Sequence, residues 1–259
     1  MNRIEFLFQK KQGRILSVYM TAGYPALNDT VEILTALQDS GADMIEIGMP
    51  FSDPLADGPV IQQSSQVALK NGMNIALLFE QLKDIRATLN IPLILMGYLN
   101  PVLQFGFTKF INKCNEVGID GLIIPDLPLD IYKMEYKEIV EQAGLNFIML
   151  ITPQTSDKRV REIAMASGGF LYMVADSSTT GAKKQISDAQ IEYFQRINSM
   201  DLEIPCIIGF GISNSETFDL ACTYANGAII GSAFINALGE DNEKSVSNKV
   251  ADFVTSVIL

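Results

Sequence analysis

The sequence repeats one pattern along most of its length: a helical stretch, a glycine, then a short apolar run. Four clear instances of the apolar run are Met44–Ile47, broken only by Glu46, then Gly121–Ile124, Phe170–Val174 and Ala228–Ile230. Glycine is favoured just beyond the end of a helix, and a continuous apolar run is typical of a strand buried on both faces of a parallel sheet. The pattern therefore predicts helices that alternate with parallel strands.

Further apolar runs bring the expected number of strands to about eight, which in roughly 250 residues favours a closed (β/α)₈ barrel over an open doubly wound sheet. These runs are Ile15–Thr21, Pro92–Met96, Asn146–Ile151 and Pro205–Ile208. The amphipathic stretches between the strands are Thr30–Asp39, Ile75–Leu89, Phe107–Val117, Ile131–Ala143, Asp157–Ala166, Ala189–Ile197 and Glu216–Tyr224. We expect an α/β protein with one TIM-barrel domain over residues 1–259 and a short N-terminal helix that caps the barrel.

The composition excludes several classes of function. The chain has no histidine, which excludes Ser-His-Asp and Cys-His catalysis and histidine-ligated metals. Its net charge of −11 argues against nucleic-acid or anionic-membrane partners. Three scattered cysteines indicate neither a disulfide framework nor a zinc site. Without a signal peptide or an unbroken apolar span, the chain is expected to be soluble and cytoplasmic.

The loop after the second predicted strand, residues 48–59, is rich in proline, glycine and aspartate, more so than a plain connection requires. Just before it, Glu46 interrupts an apolar strand. A buried carboxylate is costly unless it is paired or protonated. Glu46 is therefore either a structural acid, exposed to solvent or salt-bridged, or a general acid/base tuned toward neutral pH, and the absence of histidine favours the second interpretation.

Two glycine loops follow the last two predicted strands. Gly209-Phe210-Gly211 opens a helix, and Gly231-Ser232 follows the final strand. Either could be an ordinary tight turn. Together, at the C-terminal ends of consecutive barrel strands, they favour a phosphate site made of backbone N–H groups and a helix N-terminus.

The polar loop after the sixth predicted strand, residues 175–184, has the composition of a mobile lid, although a surface loop without function would look much the same.

Several segments resemble the tryptophan synthase α subunit family, and the resemblance runs nearly from end to end. The most specific is residues 46–62, which read Glu-Ile-Gly-Met-Pro-Phe-Ser-Asp-Pro-Leu-Ala-Asp-Gly-Pro-Val-Ile-Gln. The other segments that carry the likeness are residues 21–25, 97–101, 124–128, 209–212 and 231–233.

The resemblance implies a barrel lyase that cleaves indole-3-glycerol phosphate to indole and glyceraldehyde 3-phosphate in tryptophan biosynthesis. It implies no metal or organic cofactor, and a β subunit that receives indole in an α₂β₂ complex. By motif position, Glu46 and Asp57 take the catalytic roles, and Asp53 and Pro54 are candidates for contact with the partner. Tyr19, Met96, Tyr98 and Ile123 are expected to line the indole pocket, with Tyr172 near Glu46. Gly181, Gly211, Gly231 and Ser232 are expected to hold the phosphate, and Thr180 is a further substrate-binding candidate.

One segment departs from the family pattern. Residues 175–181 keep only the final Thr-Gly, and Asp176 stands where the family usually has arginine. The departure leaves open a catalytically weak barrel that mainly activates its partner. A sugar-phosphate isomerase or aldolase is a further alternative, but a Schiff-base aldolase needs a lysine near a strand end, and the apolar strands contain none.

Overall fold

The chain folds around a parallel sheet of nine strands. The computed structural model describes residues 1–175, 187–209, 211–240 and 243–259. Neighbouring strands follow the order β5-β4-β3-β2-β1-β9-β8-β7-β6. The strands are β1 (Ile15–Thr21), β2 (Met44–Gly48), β3 (Leu93–Met96), β4 (Gly121–Ile123), β5 (Asn146–Phe147), β6 (Met149–Ile151), β7 (Leu171–Val174), β8 (Cys206–Gly209) and β9 (Gly227–Ile230).

The sheet closes through one interrupted strand. β5 and β6 are separated only by Ile148; β5 pairs with β4, whereas β6 pairs with β7. The two strands at the ends of the sheet order, β5 and β6, therefore both come from the predicted run Asn146–Ile151. Because this run is one continuous length of chain, it joins the two edges of the sheet. The prediction of a (β/α)₈ barrel is confirmed, with the fifth barrel strand divided in two.

Helices connect the strands and cover their outer faces. Every predicted amphipathic stretch contains helix, although 75–89 and 131–143 are each divided, by a 3₁₀ turn (Ile85–Ala87) and a π-helical turn (Tyr132–Tyr136). The sequence pattern did not indicate α3, α5, α12 or α13. The helices are α1 (Arg3–Lys10), α2 (Asp29–Asp39), α3 (Pro59–Lys70), α4 (Ile75–Leu82), α5 (Leu99–Phe105), α6 (Phe107–Val117), α7 (Leu129–Ile131), α8 (Lys137–Gln142), α9 (Asp157–Ala164), α10 (Asp188–Asn198), α11 (Ser215–Cys222), α12 (Ser232–Gly239) and α13 (Val246–Ile258).

The core has two layers, because successive side chains of a strand point to opposite faces. The outward layer packs under the helices, and the inward layer fills the barrel with mostly β-branched and aromatic side chains. At the N-terminal ends of the strands, Ile4 of α1 is fully buried in the inward layer. Asn2 caps α1 and donates hydrogen bonds to the carbonyl oxygens of Asp120 and Gly144. Among the described residues, no helix is both long and apolar enough to cross a membrane.

Candidate active site

Glu46 lies inside the barrel on β2 and is completely shielded from solvent. Its Oε1 accepts a hydrogen bond of 3.1 Å from the hydroxyl of Ser17 on β1. Its Oε2 has no hydrogen-bond partner in the described structure. Burial raises the pKa of Glu46 to about 8, and the Ser17 hydrogen bond opposes that rise. The carboxyl group is therefore largely protonated at neutral pH, as a general acid must be.

Asp57 lies in the loop between β2 and α3. Its N–H donates to the carbonyl oxygen of Pro54 (3.0 Å), and the Gln62 side chain donates to the Asp57 carbonyl oxygen (2.8 Å). The Tyr98 hydroxyl donates to Oδ2 at 3.1 Å. Burial raises the pKa of Asp57 to about 6, opposed by the hydrogen bond from Tyr98. The two carboxyl groups thus titrate on opposite sides of neutrality.

Two tyrosines stand beside these carboxyl groups inside the barrel. Tyr19 on β1 and Tyr172 on β7 are buried, and Tyr19 is the register partner of Glu46. Burial raises the pKa of Tyr172, and the charges of Glu46 and Asp57 raise it further. Each hydroxyl lies against a glycine, Gly48 for Tyr19 and Gly209 for Tyr172, where any side chain would collide with it. Glycine at the strand ends therefore leaves the room that the phenol rings occupy.

A cleft opens beside Asp57 at the C-terminal ends of the strands. It brings together five of the predicted residues, Tyr19, Met96, Tyr98, Asp57 and Pro54. Ile123 is instead completely buried within the inward layer, where Tyr172 also lies. The cleft is further lined by residues that sequence reasoning missed, namely Met49, Phe51, Ser65, Gly97 and Pro125.

Ser17 was also missed, although the sequence carries a signal for it. It interrupts the apolar strand β1 just as Glu46 interrupts β2, and it too is completely buried. Phe51 is held against the ring of Tyr98, with centroids 5.2 Å apart, and its position in the proline-rich loop gave no comparable signal.

The two glycine loops lie where β8 and β9 end. Gly231 precedes α12, whose N-terminus has no side-chain cap, and Ser232 is the first residue of that helix. Gly231 lies close to Tyr19, since a Cβ there would be 3.5 Å from the Tyr19 Cβ. Gly211 has a positive φ of 81° with open space around it. Some predicted residues lie outside the described part of the chain. They are Thr180, Gly181, Asp176 (which departs from the family pattern) and all of the candidate lid except its first residue, Ala175.

The two candidate partner-contact residues differ in their surroundings. Asp53 is exposed and accepts a short hydrogen bond of 2.5 Å from Ser52, whereas Pro54 is buried and lines the cleft. The next residue, Leu55, is 88% exposed. Asp53 and Leu55 therefore present their side chains outward from the loop that carries Asp57.

Fold and site together define a (β/α)₈ barrel that holds two carboxyl groups whose pKa values are raised by burial. The model of the family described as "Tryptophan synthase alpha chain" matches residues 7–257. The tryptophan synthase alpha chain of Flavobacterium psychrophilum is 58% identical over 97% of this chain and 99% of its own. That of Parabacteroides distasonis is 55% identical over 92% of this chain and 93% of its own. The chain belongs to the tryptophan synthase alpha chain family.

Solved structures agree with this assignment. The tryptophan synthase alpha chain of Legionella pneumophila superposes with a TM-score of 0.88 at 31% identity and covers 99% of this chain and 96% of its own. An aminoacrylate-bound tryptophan synthase from M. tuberculosis superposes with a TM-score of 0.85 at 28% identity. The match covers 99% of this chain and 100% of that chain. The family is one of carbon–carbon lyases acting in tryptophan biosynthesis, so the resemblance inferred from the sequence motifs is confirmed and the isomerase and aldolase alternatives are removed.

Proposed function

We propose that this chain cleaves indole-3-glycerol phosphate to indole and glyceraldehyde 3-phosphate, with Glu46 and Asp57 as its catalytic pair. The observation that carries the proposal is the difference between their environments. Glu46 is fully buried with a pKa of about 8, and Asp57 is loop-borne with a pKa of about 6. At neutral pH one is mostly an acid and the other mostly an anion, which is how two carboxyl groups take separate roles.

Glu46 acts first as an acid. It gives its proton to C3 of the indole ring, which makes C3 tetrahedral and leaves the ring as an indolenine cation. As a carboxylate, Glu46 then takes the proton of the adjacent glycerol hydroxyl. The electrons of that O–H bond form the aldehyde, and those of the C–C bond return to the ring. Glu46 ends the step protonated, so one residue serves both transfers.

Asp57 handles the charge at the ring nitrogen. Its carboxylate stabilises the indolenine cation through the N1–H, and the stabilisation is greatest when the positive charge is greatest. The Tyr98 hydroxyl, 3.1 Å from Oδ2, holds the carboxylate in place and leaves Oδ1 for the substrate. Truncating or neutralising Asp57 would therefore reduce turnover more than substrate binding.

The substrate spans the cleft from ring to phosphate. Tyr19, Met96, Tyr98, Ile123 and Tyr172 form the apolar surroundings of the indole. The phosphate binds at the other end to the backbone N–H groups of Gly211, Gly231 and Ser232, aided by the uncapped N-terminus of α12. The closeness of Gly231 to Tyr19 supports a continuous site. Thr180 and Gly181 complete the phosphate site by motif position alone.

The partner is a tryptophan synthase β subunit, which consumes the indole in an α₂β₂ complex. Indole is small and apolar, so a direct transfer prevents its loss. The contact surface includes the exposed Asp53 and Leu55, next to the catalytic Asp57 in sequence. A cytoplasmic location is part of the proposal, in keeping with the reduced, scattered cysteines.

The deciding assay measures indole release from indole-3-glycerol phosphate by the purified chain, first alone and then with a β subunit. Slow release alone and faster release with the partner are expected. No release from indole-3-glycerol phosphate, together with faster consumption of added indole by the β subunit, would support an activating subunit instead. No release under either condition would reject the proposal.

A further inference from the structure

Ser17 is a polar side chain in a place where polar side chains are costly. It is completely buried in β1, between apolar neighbours, and faces the inside of the barrel. β1 and β2 are parallel with Tyr19 opposite Glu46, so Ser17 lies diagonally from Glu46 on the same face. Its hydroxyl meets Glu46 Oε1 at 3.1 Å, which is its one hydrogen bond within the described residues.

The chemistry of the two groups restricts where protons can lie. An ionised carboxylate can only accept, so Ser17 donates to Oε1 whenever Glu46 is charged. When Glu46 is protonated, Ser17 can keep donating to Oε1 only if the carboxyl proton is on Oε2. Oε2 is the oxygen that lacks any partner in the described residues, which makes it the free end of the acid.

We propose that Ser17 is a positioning residue for the lyase reaction: its hydroxyl reserves Oε1 as an acceptor and thereby fixes the transferable proton of Glu46 on Oε2. This inference rests on the proposed role of Glu46 as the acid that protonates the indole ring. Ser17 acts through Glu46, since its hydroxyl contacts Oε1 and not the proton-carrying Oε2. It keeps the same hydrogen bond before and after each proton transfer, so the carboxyl group need not rotate during the cycle.

The test compares Ser17→Ala, Ser17→Thr and Ser17→Val. Thr and Val have nearly the same shape and differ in the hydroxyl, so their difference reports the hydrogen bond apart from packing. Ser64→Ala is the control for loss of a buried hydroxyl, because the Ser64 hydroxyl contacts Thr21 and the Ile61 carbonyl and no carboxylate. Circular dichroism and urea midpoints establish that each variant is folded.

The first readout needs no substrate. The carboxylic C=O stretch of Glu46 is identified in the infrared spectrum by its loss in Glu46→Gln. A hydrogen bond to the carbonyl oxygen lowers that frequency, so the stretch should move to higher frequency in Ser17→Ala and Ser17→Val and remain in Ser17→Thr. An unchanged stretch in the Ala and Val variants would overturn the proposal, because it would mean that Oε1 carries the proton and donates it to Ser17.

The second readout is the pH dependence of cleavage. Activity requires protonated Glu46 and is lost as pH rises through its pKa. Without the donor the carboxylate is less stabilised, so in Ser17→Ala the alkaline limb of kcat should move upward by about half to one pH unit. kcat at the optimum should fall roughly tenfold with KM nearly unchanged, because the proton is shared between two oxygens and the side chain is less well oriented.

The infrared and pH readouts test the positioning role of Ser17 separately from the proposed lyase function. A shifted infrared band in Ser17→Ala together with a normal pH profile would retain the hydrogen-bond geometry but refute the positioning role. Full activity of Glu46→Gln would refute the proposed function itself, whatever the infrared result. Ser17 is supported as a positioning residue if Ser17→Thr restores kcat and the position of the alkaline limb of its pH profile, and Ser17→Val does not.

Discussion

Replacing Glu46 by glutamine should abolish cleavage and, at neutral pH, make the protein more stable. Both effects follow from the burial of the carboxyl group. General acid–base groups typically contribute 10²–10⁴-fold to rate, and an amide of the same shape cannot transfer a proton, so a loss of about that size is expected. Ser17 can still donate to the amide oxygen, which should keep the side chain in place.

The stability effect follows from proton linkage. The pKa of Glu46 is raised from 4.5 to about 8 in the folded state. Between these values the folded protein holds a proton that the unfolded chain has released, so the free energy of unfolding falls as pH rises. The slope for one such group is about 1.4 kcal/mol per pH unit, which gives about 3 kcal/mol lost by pH 7. Glutamine carries no charge and avoids this loss.

The pH dependence isolates the effect from other contributions. The amide nitrogen takes the place of the unpartnered Oε2 and is left without an acceptor, which costs about 1–3 kcal/mol at every pH. All other titrating groups are shared by the two proteins and cancel in the difference. The free energy of unfolding of Glu46→Gln should therefore rise steadily relative to that of the wild type from about pH 5 to pH 8, whatever the difference between the two proteins at pH 5.

Urea unfolding at pH 5, 6, 7 and 8 measures the difference, and indole release under the same conditions measures the activity. The surface variant Glu203→Gln controls for the substitution itself. A difference in free energy of unfolding that does not change with pH would show that Glu46 is ionised when folded, and the acid role would fail. Activity within tenfold of wild type, with deamidation excluded by mass spectrometry, would remove Glu46 from the mechanism.

Three further predictions concern the remaining parts of the site. Asp57→Asn should lower kcat by roughly 10²-fold while KM changes little, because the amide still accepts from Tyr98 but no longer offers a charge to the ring; unchanged turnover would exclude Asp57. Gly211→Asp should bind glyceraldehyde 3-phosphate at least roughly tenfold more weakly than Gly211→Asn, since both share the strain of a φ of 81° and differ in charge; equal dissociation constants would refute a phosphate there. Asp53→Ala should reduce activation by the β subunit and spare the slow activity of the isolated chain, as steady-state assays with increasing partner would reveal.

The sequence predicted the barrel because its evidence is local. A strand buried on both faces must be apolar along its length, and a helix beside it must be amphipathic. Both patterns can be recognised in the sequence itself. The same logic exposed Glu46, as a charge in an apolar run. The interruption at Ile148 left no such pattern, because every residue from Phe147 to Ile151 is apolar whichever neighbouring strand it pairs with.

What the sequence could not supply was the partner of each side chain. Ser17 and Glu46 are 29 residues apart in the chain, and Tyr98 and Asp57 are 41 apart. These pairs meet only because the register of β1 on β2 and the path of the second loop bring them together. The cleft residues Met49 and Phe51 were missed for the same reason, since apolar loop residues have no periodicity by which to recognise them.

The arrangement explains how a chain without histidine can perform proton chemistry near neutral pH. A carboxyl group in water is far too strong an acid to stay protonated there, and its pKa must rise by several units. Complete burial supplies the rise at Glu46, and a single hydroxyl donor moderates it so that the group still ionises within its cycle. Partial burial raises the pKa of Asp57 only to about 6, opposed by the hydrogen bond from Tyr98, so Asp57 is mostly ionised at neutral pH. The extent of burial of each carboxyl group, together with one hydroxyl apiece, thus separates the two pKa values on which the proposed roles depend.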